Sequence, residues 1–367
     1  MTIKCDVLVV GGGPAGLSAA LLLSNNGFST IVLEKEKTCG PKHTKYDITE
    51  GNRIREILNE MGIKPNKISS TSEWISPNHN FVLESKIEDF YFKRGPEPDS
   101  LENELLKKLK KNNVDVFFES KVIFIEKNGK ECVSVETDIG TKKLKIEPRY
   151  VIAADGANSE FRMELKVKTN NFATFIGSGV LIESKESDVV PHAKIYFDEK
   201  IAPGGYVYSG SVGKEYFFCI VVDDQSSNKE LLKQNLEKFL EKHTDGKITV
   251  KNHFSGIGIS GIQKVIVGNV LFVGGAALFY DPFLGYGLNY AIESAYYAAN
   301  AIENDNLKIY KKYSNEIQNE IQEQCFAREI WREADNDFFD RFIEAFNGQY
   351  DINDENIIKI LELFGKD

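Results

Sequence analysis

The chain has 367 residues, 42% hydrophobic and 27% charged, the balance of an ordinary globular protein with room for two or three domains. Its 45 basic and 55 acidic residues leave a formal charge of −10, which argues against a nucleic-acid partner, because phosphates need a basic surface. The five cysteines are scattered without a C-x-x-C and the five histidines lack ligand spacing, so neither a disulfide framework nor a metal site is expected, and the expected setting is a reducing cytoplasm.

The N-terminal MTIKCDVLVVGGG is too short and too glycine-bounded for a signal peptide. Within it, CDVLVV (5–10) is an apolar run that ends in glycines, the mark of a buried strand. PAGLSAALLLSNNG follows as a helix, with Pro14 tolerated in its first turn and Gly27 as its stop. STIVLEK (29–35) completes a β-α-β unit. A loop over KEKTCGPKHTKYD precedes a helix in TEGNRIREILNEMGI. Residues 66–95 read as strands and turns carrying Trp74, Phe81, Phe90, Tyr91 and Phe92. PDSLENELLKKLKKNN is an amphipathic helix capped by Asp99 or Ser100. VDVFFES, KVIFIEKNG and CVSVETD suggest a strand and a hairpin, and RYVIAADGANSEFR is a buried strand that ends in Asp-Gly.

Residues 170–258 are strand-like and aromatic, with one helix in NKELLKQNLEKFLEKH. Their aromatics suit a long apolar cavity and a plain sheet core equally well. The chain returns through NVLFVGGAA to a helix from about Leu288 to Glu303. The charged tail reads most simply as a solvated helical face. The longest apolar stretch, VIVGNVLFVGGAALF, is interrupted by Asn269 and glycines and falls short of the roughly 18 residues a spanning helix needs. No membrane span is expected, and peripheral membrane contact stays open. The fold class is α/β. A Rossmann-like nucleotide-binding domain in discontinuous segments (1–65, 96–165 and 262–303) carries an inserted antiparallel β-sheet substrate domain (66–95 and 166–261), followed by a helical C-terminal segment (304–367).

Three motifs carry chemistry. The first is Gly11-Gly12-Gly13-Pro14-Ala15-Gly16, a G-x-G-x-x-G between a strand and a helix. Its glycines permit a tight turn and the close approach of a pyrophosphate to the helix N-terminus. Glu34, 23 residues after Gly11 and next to Lys35, is placed to accept both ribose hydroxyls of an adenosine, and its charge disfavours a 2′-phosphate. The second motif is Ala154-Asp155-Gly156-Ala157-Asn158-Ser159 with Arg162, at the end of a strand. Alone it is a common turn; beside the first motif it reads as cofactor-binding. The third is DPFLGYGLNYA, which sets Pro282, Gly285 and Gly287 just ahead of a helix that starts at Leu288. Small residues there let a planar ring pass, and the positive helix end favours an anionic ring edge.

In this order, the motifs resemble the FAD-dependent oxidoreductases of the aromatic-hydroxylase structural class. Within that class the chain is most similar to the geranylgeranyl reductase family, through the glycine loop, Lys37 to Gly40, APGGY at Ala202 to Tyr206, and Asp281 to Gly287. The resemblance implies FAD as cofactor and reduction of C=C bonds in prenyl chains of membrane lipid precursors. No second dinucleotide fingerprint is present, as is common in the class that the chain resembles, so NADPH, ferredoxin or another reductant is left open as the external electron source. The sequence departs from the family in two places. Gly275 stands where the family has an aspartate that holds the flavin ribityl chain, a charged hydrogen bond worth about 1.5–3 kcal/mol. Water or Asp281 is left to take its place. The segment Tyr206-Val207-Tyr208-Ser209-Gly210-Ser211 replaces a Y-x-W-x-F-P that lines the family's prenyl site.

Reduction of an isolated alkene needs a positioned acid. Cys39 matches the family's C-G position, in a loop expected near the flavin ring, and reads equally as a small buried apolar residue. Tyr206 and Tyr208 lie two apart on one strand face, either as substrate-lining residues, with Tyr206 lending a hydroxyl, or as core aromatics. His43 reads as a solvated loop residue. Arg94 reads as a flavin phosphate or ribityl contact or as a surface ion pair. Two other functions stay open on the same motifs: a flavin monooxygenase acting on an aromatic or polyene, and a non-catalytic lipid-binding relative. The oligomeric state is open as well.

Overall fold

The computed structural model describes residues 2–140, 142–183, 193–223, 229–244 and 249–346. Two sheets of eight strands organise it. In the first, the order is Ile266–Val267, Val270–Phe272, Lys142–Ala153, Thr2–Val10, Thr30–Leu33 and Asp115–Phe117, with the hairpin Val122–Asn128 and Glu131–Ile139 attached to Lys142–Ala153. Thr2–Val10 runs parallel to both of its neighbours, with Val10 paired to Leu33 on one side and Ala153 on the other. A strand covered on both faces shows no alternation, and Val7 to Val10 are all buried. The helix Pro14–Asn25 returns over this sheet and packs on the helices Leu101–Lys111 and Leu288–Glu303, burying Leu17, Leu21, Leu105, Ile292 and Ala299 in one core.

The second sheet runs Thr249–Gln263, Thr169–Glu183, Glu215–Asp223, Tyr206–Val212, Ala193–Tyr196, Lys67–Ile75, Asn80–Arg94 and Lys45–Glu50. Its pairs are antiparallel except Ala193–Tyr196 with Lys67–Ile75. Two expectations change here. The segment expected as loop up to Asp47 ends in a true strand, Lys45–Glu50, which edges this sheet beside Asn80–Arg94. Six residues with Tyr46 and Thr49 buried carry too short an alternation to announce a strand.

The tail differs as well. The helices Lys308–Arg332 and Asn336–Phe346 are not a solvated face. Trp331, Phe338, Phe339 and Phe342 pack with Trp74, Phe197 and Phe283 into a second core between the tail and the second sheet. Arg328 is buried there, bonded to Gly204 O and Asp223 beneath the ring of Phe175. The final stretch of the predicted tail, 347–367, lies outside the described residues.

Candidate active site

The glycine loop leaves the central strand and turns into the first helix. At Gly11, φ is +111° and an added Cβ would meet the Ala154 carbonyl; at Gly16 it would meet the Gly11 carbonyl. These two glycines are required by backbone packing. Gly13 differs, because a Cβ there meets nothing within 4 Å. It faces open space at the N-terminus of Pro14–Asn25, which has neither a side-chain cap nor an acid in its first turn. The free N–H groups of that turn are therefore available to an anion.

Glu34 is buried. Its Oε2 accepts from Gly12 N at 2.6 Å and its Oε1 from Glu36 N at 2.8 Å. It stands in the wall of a cavity of about 300 Å³ formed by Gly11 to Gly13, Leu33 to Glu36, Ser120 to Val122, Asp155, Gly156 and Phe161. Lys35 sits exposed on the rim. Asp155 accepts from Phe161 N at 3.1 Å through one oxygen, while its other oxygen is buried without a partner. Burial pushes its carboxyl pKa up.

A second cavity, also about 300 Å³, adjoins the first along Gly13, Ala154 and Gly156. Pro14, Ala15, Gly275, Gly285, Gly287 and Leu288 line it together with Tyr206, Tyr208 and Phe175. The helix Leu288–Glu303 opens onto it through Gly287, with no side-chain cap. Pro282 is buried in the preceding turn, which Asp281 ties down by accepting from Leu284 N and Gly285 N. Asp281 thus serves the turn, where the sequence left it as a substitute for the absent aspartate.

Tyr206 donates its hydroxyl to Leu284 O and lies beside Tyr208, ring centroids 6.2 Å apart. Both phenols are pushed well up by burial, so they stay protonated. Arg94 also lines this cavity, but as a buried ion pair and not a surface one: its guanidinium bonds Glu102 at 2.6 Å and Asp47. Burial raises Asp47, yet Lys45 and Arg94 outweigh it and hold the carboxyl low.

Cys39 lies elsewhere. Its thiol packs under the glycine loop, against the Cβ position of Gly12 and near Glu34. Burial, then the charges of Glu34 and Glu102, push its pKa far up. The expectation of a thiol at the ring edge does not follow from this placement, because C-G follows the second strand and stays with the nucleotide loop. His43 is exposed in its loop.

A third cavity of about 380 Å³ meets the second at Ile48, Tyr208 and Tyr286. Trp74, Leu83, Ile195, Phe283 and Ile317 give it apolar walls. Glu50, Arg53, Asp89, Glu293 and Glu320 add charged groups to its lining. Burial lifts the Asp89 carboxyl to about 6. Sequence reasoning missed Tyr280 in the second cavity and Tyr286, Asp89 and the tail helix residues in the third. Tyr286 stood inside the G-Y-G of the third motif and was readable; Asp89 and Ile317 carried no local signal.

A model of the FAD binding domain family matches residues 4–304. The chain is 28% identical over 309 residues to the digeranylgeranylglycerophospholipid reductase of Thermoplasma volcanium, an alignment spanning 80% of this chain and 76% of that one. A geranylgeranyl bacteriochlorophyll reductase-like protein of Thermoplasma acidophilum shares the fold with a TM-score of 0.85 and 24% identity, over 98% of this chain and 96% of that one. The p-nitrophenol 4-monooxygenase of Pseudomonas putida shares it with a TM-score of 0.77 and 17% identity, over 100% of this chain and 98% of that one.

Proposed function

From the premise that this chain belongs to the FAD binding domain family, we propose that it is an FAD-dependent reductase of C=C bonds in geranylgeranyl chains, acting on prenyl lipid precursors. The chain's own residues fit the cofactor on two observations. Asp155 presents a buried oxygen without a partner, and Gly13 and Gly156 face space that a Cβ would fill. The helix N-terminus at Gly13 would bind the pyrophosphate, Glu34 the adenosine ribose, and the uncapped end at Gly287 the flavin. Bound and reduced, FAD supplies a hydride equivalent to one alkene carbon.

The observation that carries the reading is the third cavity, whose apolar wall of Trp74, Leu83, Ile195, Phe283 and Ile317 joins a space that meets the second cavity at Tyr208 and Tyr286. A prenyl chain needs an apolar wall joined to the cofactor space. The chain's similarity to the digeranylgeranylglycerophospholipid reductases of two Thermoplasma species supports the same chemistry. Tyr206 has its proton engaged by Leu284 O and orients the turn before Gly285. Asp89, in the third cavity with a pKa of about 6, suits the delivery of a proton to the second alkene carbon near neutral pH. NADPH or ferredoxin would reduce the cofactor. Among the described residues no helix is long and apolar enough to cross a membrane. The reading places the chain in the cytoplasm, meeting its lipid at the membrane surface.

The test is anaerobic incubation of the FAD-loaded protein, a chemical reductant and a geranylgeranylated ether lipid, followed by mass spectrometry. The expected result is a gain of one H2 per double bond. No gain without oxygen, with an oxygenated product once oxygen is admitted, would replace the reductase by the monooxygenase reading.

A further inference from the structure

The wall of the second cavity that carries Gly275 is built around a single ring. Tyr280 lies in a slot between three glycines from three segments: Gly258 in the strand Thr249–Gln263, Gly275 in the short turn Gly274–Ala277, and Gly287 at the start of Leu288–Glu303. A Cβ at Gly258 would stand 2.8 Å from Tyr280 Cδ1, one at Gly275 would stand 3.3 Å from Cε2, and one at Gly287 would overlap Cε1. The Tyr280 backbone is fixed as well, by its N–H to Leu278 O at 3.1 Å and by Ser260 Oγ, which donates to its carbonyl at 2.6 Å.

The hydroxyl contrasts with this. It makes no hydrogen bond to another described residue. It lies within the electrostatic reach of Asp47 and Arg94, which line the same cavity. Tyr280 is only partly buried and lines the second cavity, so its hydroxyl is open to a partner held there. A side chain at position 275 would press on two neighbours, its Cβ standing 3.1 Å from Ala157 N and 3.3 Å from the Tyr280 ring, so both would have to give by a few tenths of an ångström. Ring and glycine are therefore coupled, because the ring is one of the two closest neighbours that an acid at 275 would press on.

We propose that Tyr280 is a flavin-binding residue of this chain, its hydroxyl supplying to the flavin half of FAD the polar contact that Gly275 cannot. The proposal rests on the FAD assignment and not on the identity of the substrate. The experiment titrates flavin-free protein with FAD and separately with ADP, which probes the adenosine half alone, and records the melting temperature of each flavin-free variant. Tyr280→Phe is expected to weaken FAD about 3- to 10-fold, the range of one neutral hydrogen bond. ADP affinity and melting temperature should stay unchanged.

A coupling test follows. Gly275→Asp is expected to weaken FAD and lower the melting temperature when Tyr280 is present. In a Tyr280→Ala background the same substitution is expected to strengthen FAD binding instead. The proposal is overturned if Tyr280→Phe binds FAD as tightly as the unmodified chain, or if FAD and ADP weaken equally. It is also overturned if Gly275→Asp has the same effect in both backgrounds. Uptake of ADP without FAD by the unmodified chain would overturn the cofactor assignment along with it.

Discussion

The two ends of the run of connected cavities are made in different ways. The end at the glycine loop is built from backbone: the Gly12 and Glu36 amides hold Glu34, the Ala154 carbonyl excludes a side chain at Gly11, and one β-α-β unit supplies Val10 to Gly13 and Leu33 to Glu36 of the wall. The far end is built from side chains of distant segments. Asp89, Tyr208, Tyr286 and Ile317 converge there from three strands or turns and the tail helix. A backbone site is local and tolerates only glycine where chains touch. A side-chain site depends on how sheets and tail pack, so its residues are individually replaceable and locally unmarked.

Substitutions can break that contrast. The largest effect is expected within the glycine loop itself. Gly11→Val places a side chain against the Ala154 carbonyl at a φ of +111°, so the chain should fail to fold, read as loss of a cooperative melting transition. Gly13→Val, two residues on, meets open space and should leave the flavin-free melting temperature unchanged while abolishing FAD uptake. If both variants behave alike, the division between packing and binding glycines is wrong.

Next comes the buried cluster in the wall of the second cavity. Arg94→Met leaves the fully buried Glu102 without its partner and should cost about 3–5 kcal/mol in urea unfolding. The aromatic core under the tail is a comparable test at the far end. Trp331→Ala should cost about 3–5 kcal/mol and lower prenyl turnover while ADP binding persists. Equal loss of ADP binding would show that the two ends are not separable.

The smallest effect concerns pH. The folded pKa of Asp89, about 6, lies above the ordinary value of 3.8. Its protonated form thus favours the fold: the contribution is fully present below about pH 4 and is lost as pH rises through 6. The unmodified chain should melt lower at pH 7 than at pH 5 by this contribution, and Asp89→Asn should remove it. If Asp89 is the proton source, the same variant lowers turnover and abolishes the decline in rate above pH 6. A turnover profile unchanged by the substitution would remove Asp89 from the chemistry and leave only its effect on stability.

What could be read without coordinates follows the same division. The strand CDVLVV, the helix after Gly13 and Glu34 form a contiguous pattern in which each residue type is dictated by its neighbours along the chain, and Asp155-Gly156, a separate strand-end motif, meets Val10 to Gly13 and Glu34 in one cavity. Arg94 was singled out, but its environment was not: Glu102 and Asp47 come from a helix and an edge strand that only packing brings together. The short alternation of Lys45–Glu50 was too weak to declare a strand. The tail was misjudged because its polar residues outnumber the apolar ones, although Ile317, Ile321 and Trp331 mark a buried stripe. Cys39 was placed by analogy of motif, and its position beneath Gly12 depends on how the loop folds back over the second strand.

Sequence by itself determined the α/β nucleotide-binding unit, because strand, turn and helix there obey rules that act within some thirty residues. Tertiary structure alone decided the company each side chain keeps: which carboxylate meets Arg94, which cavity Tyr208 joins to the next, and that Gly258, Gly275 and Gly287 enclose Tyr280. The reason is physical. Local geometry is limited by steric contacts between neighbouring residues, whereas burial, charge pairing and cavity shape arise from contacts between segments that are far apart in the chain.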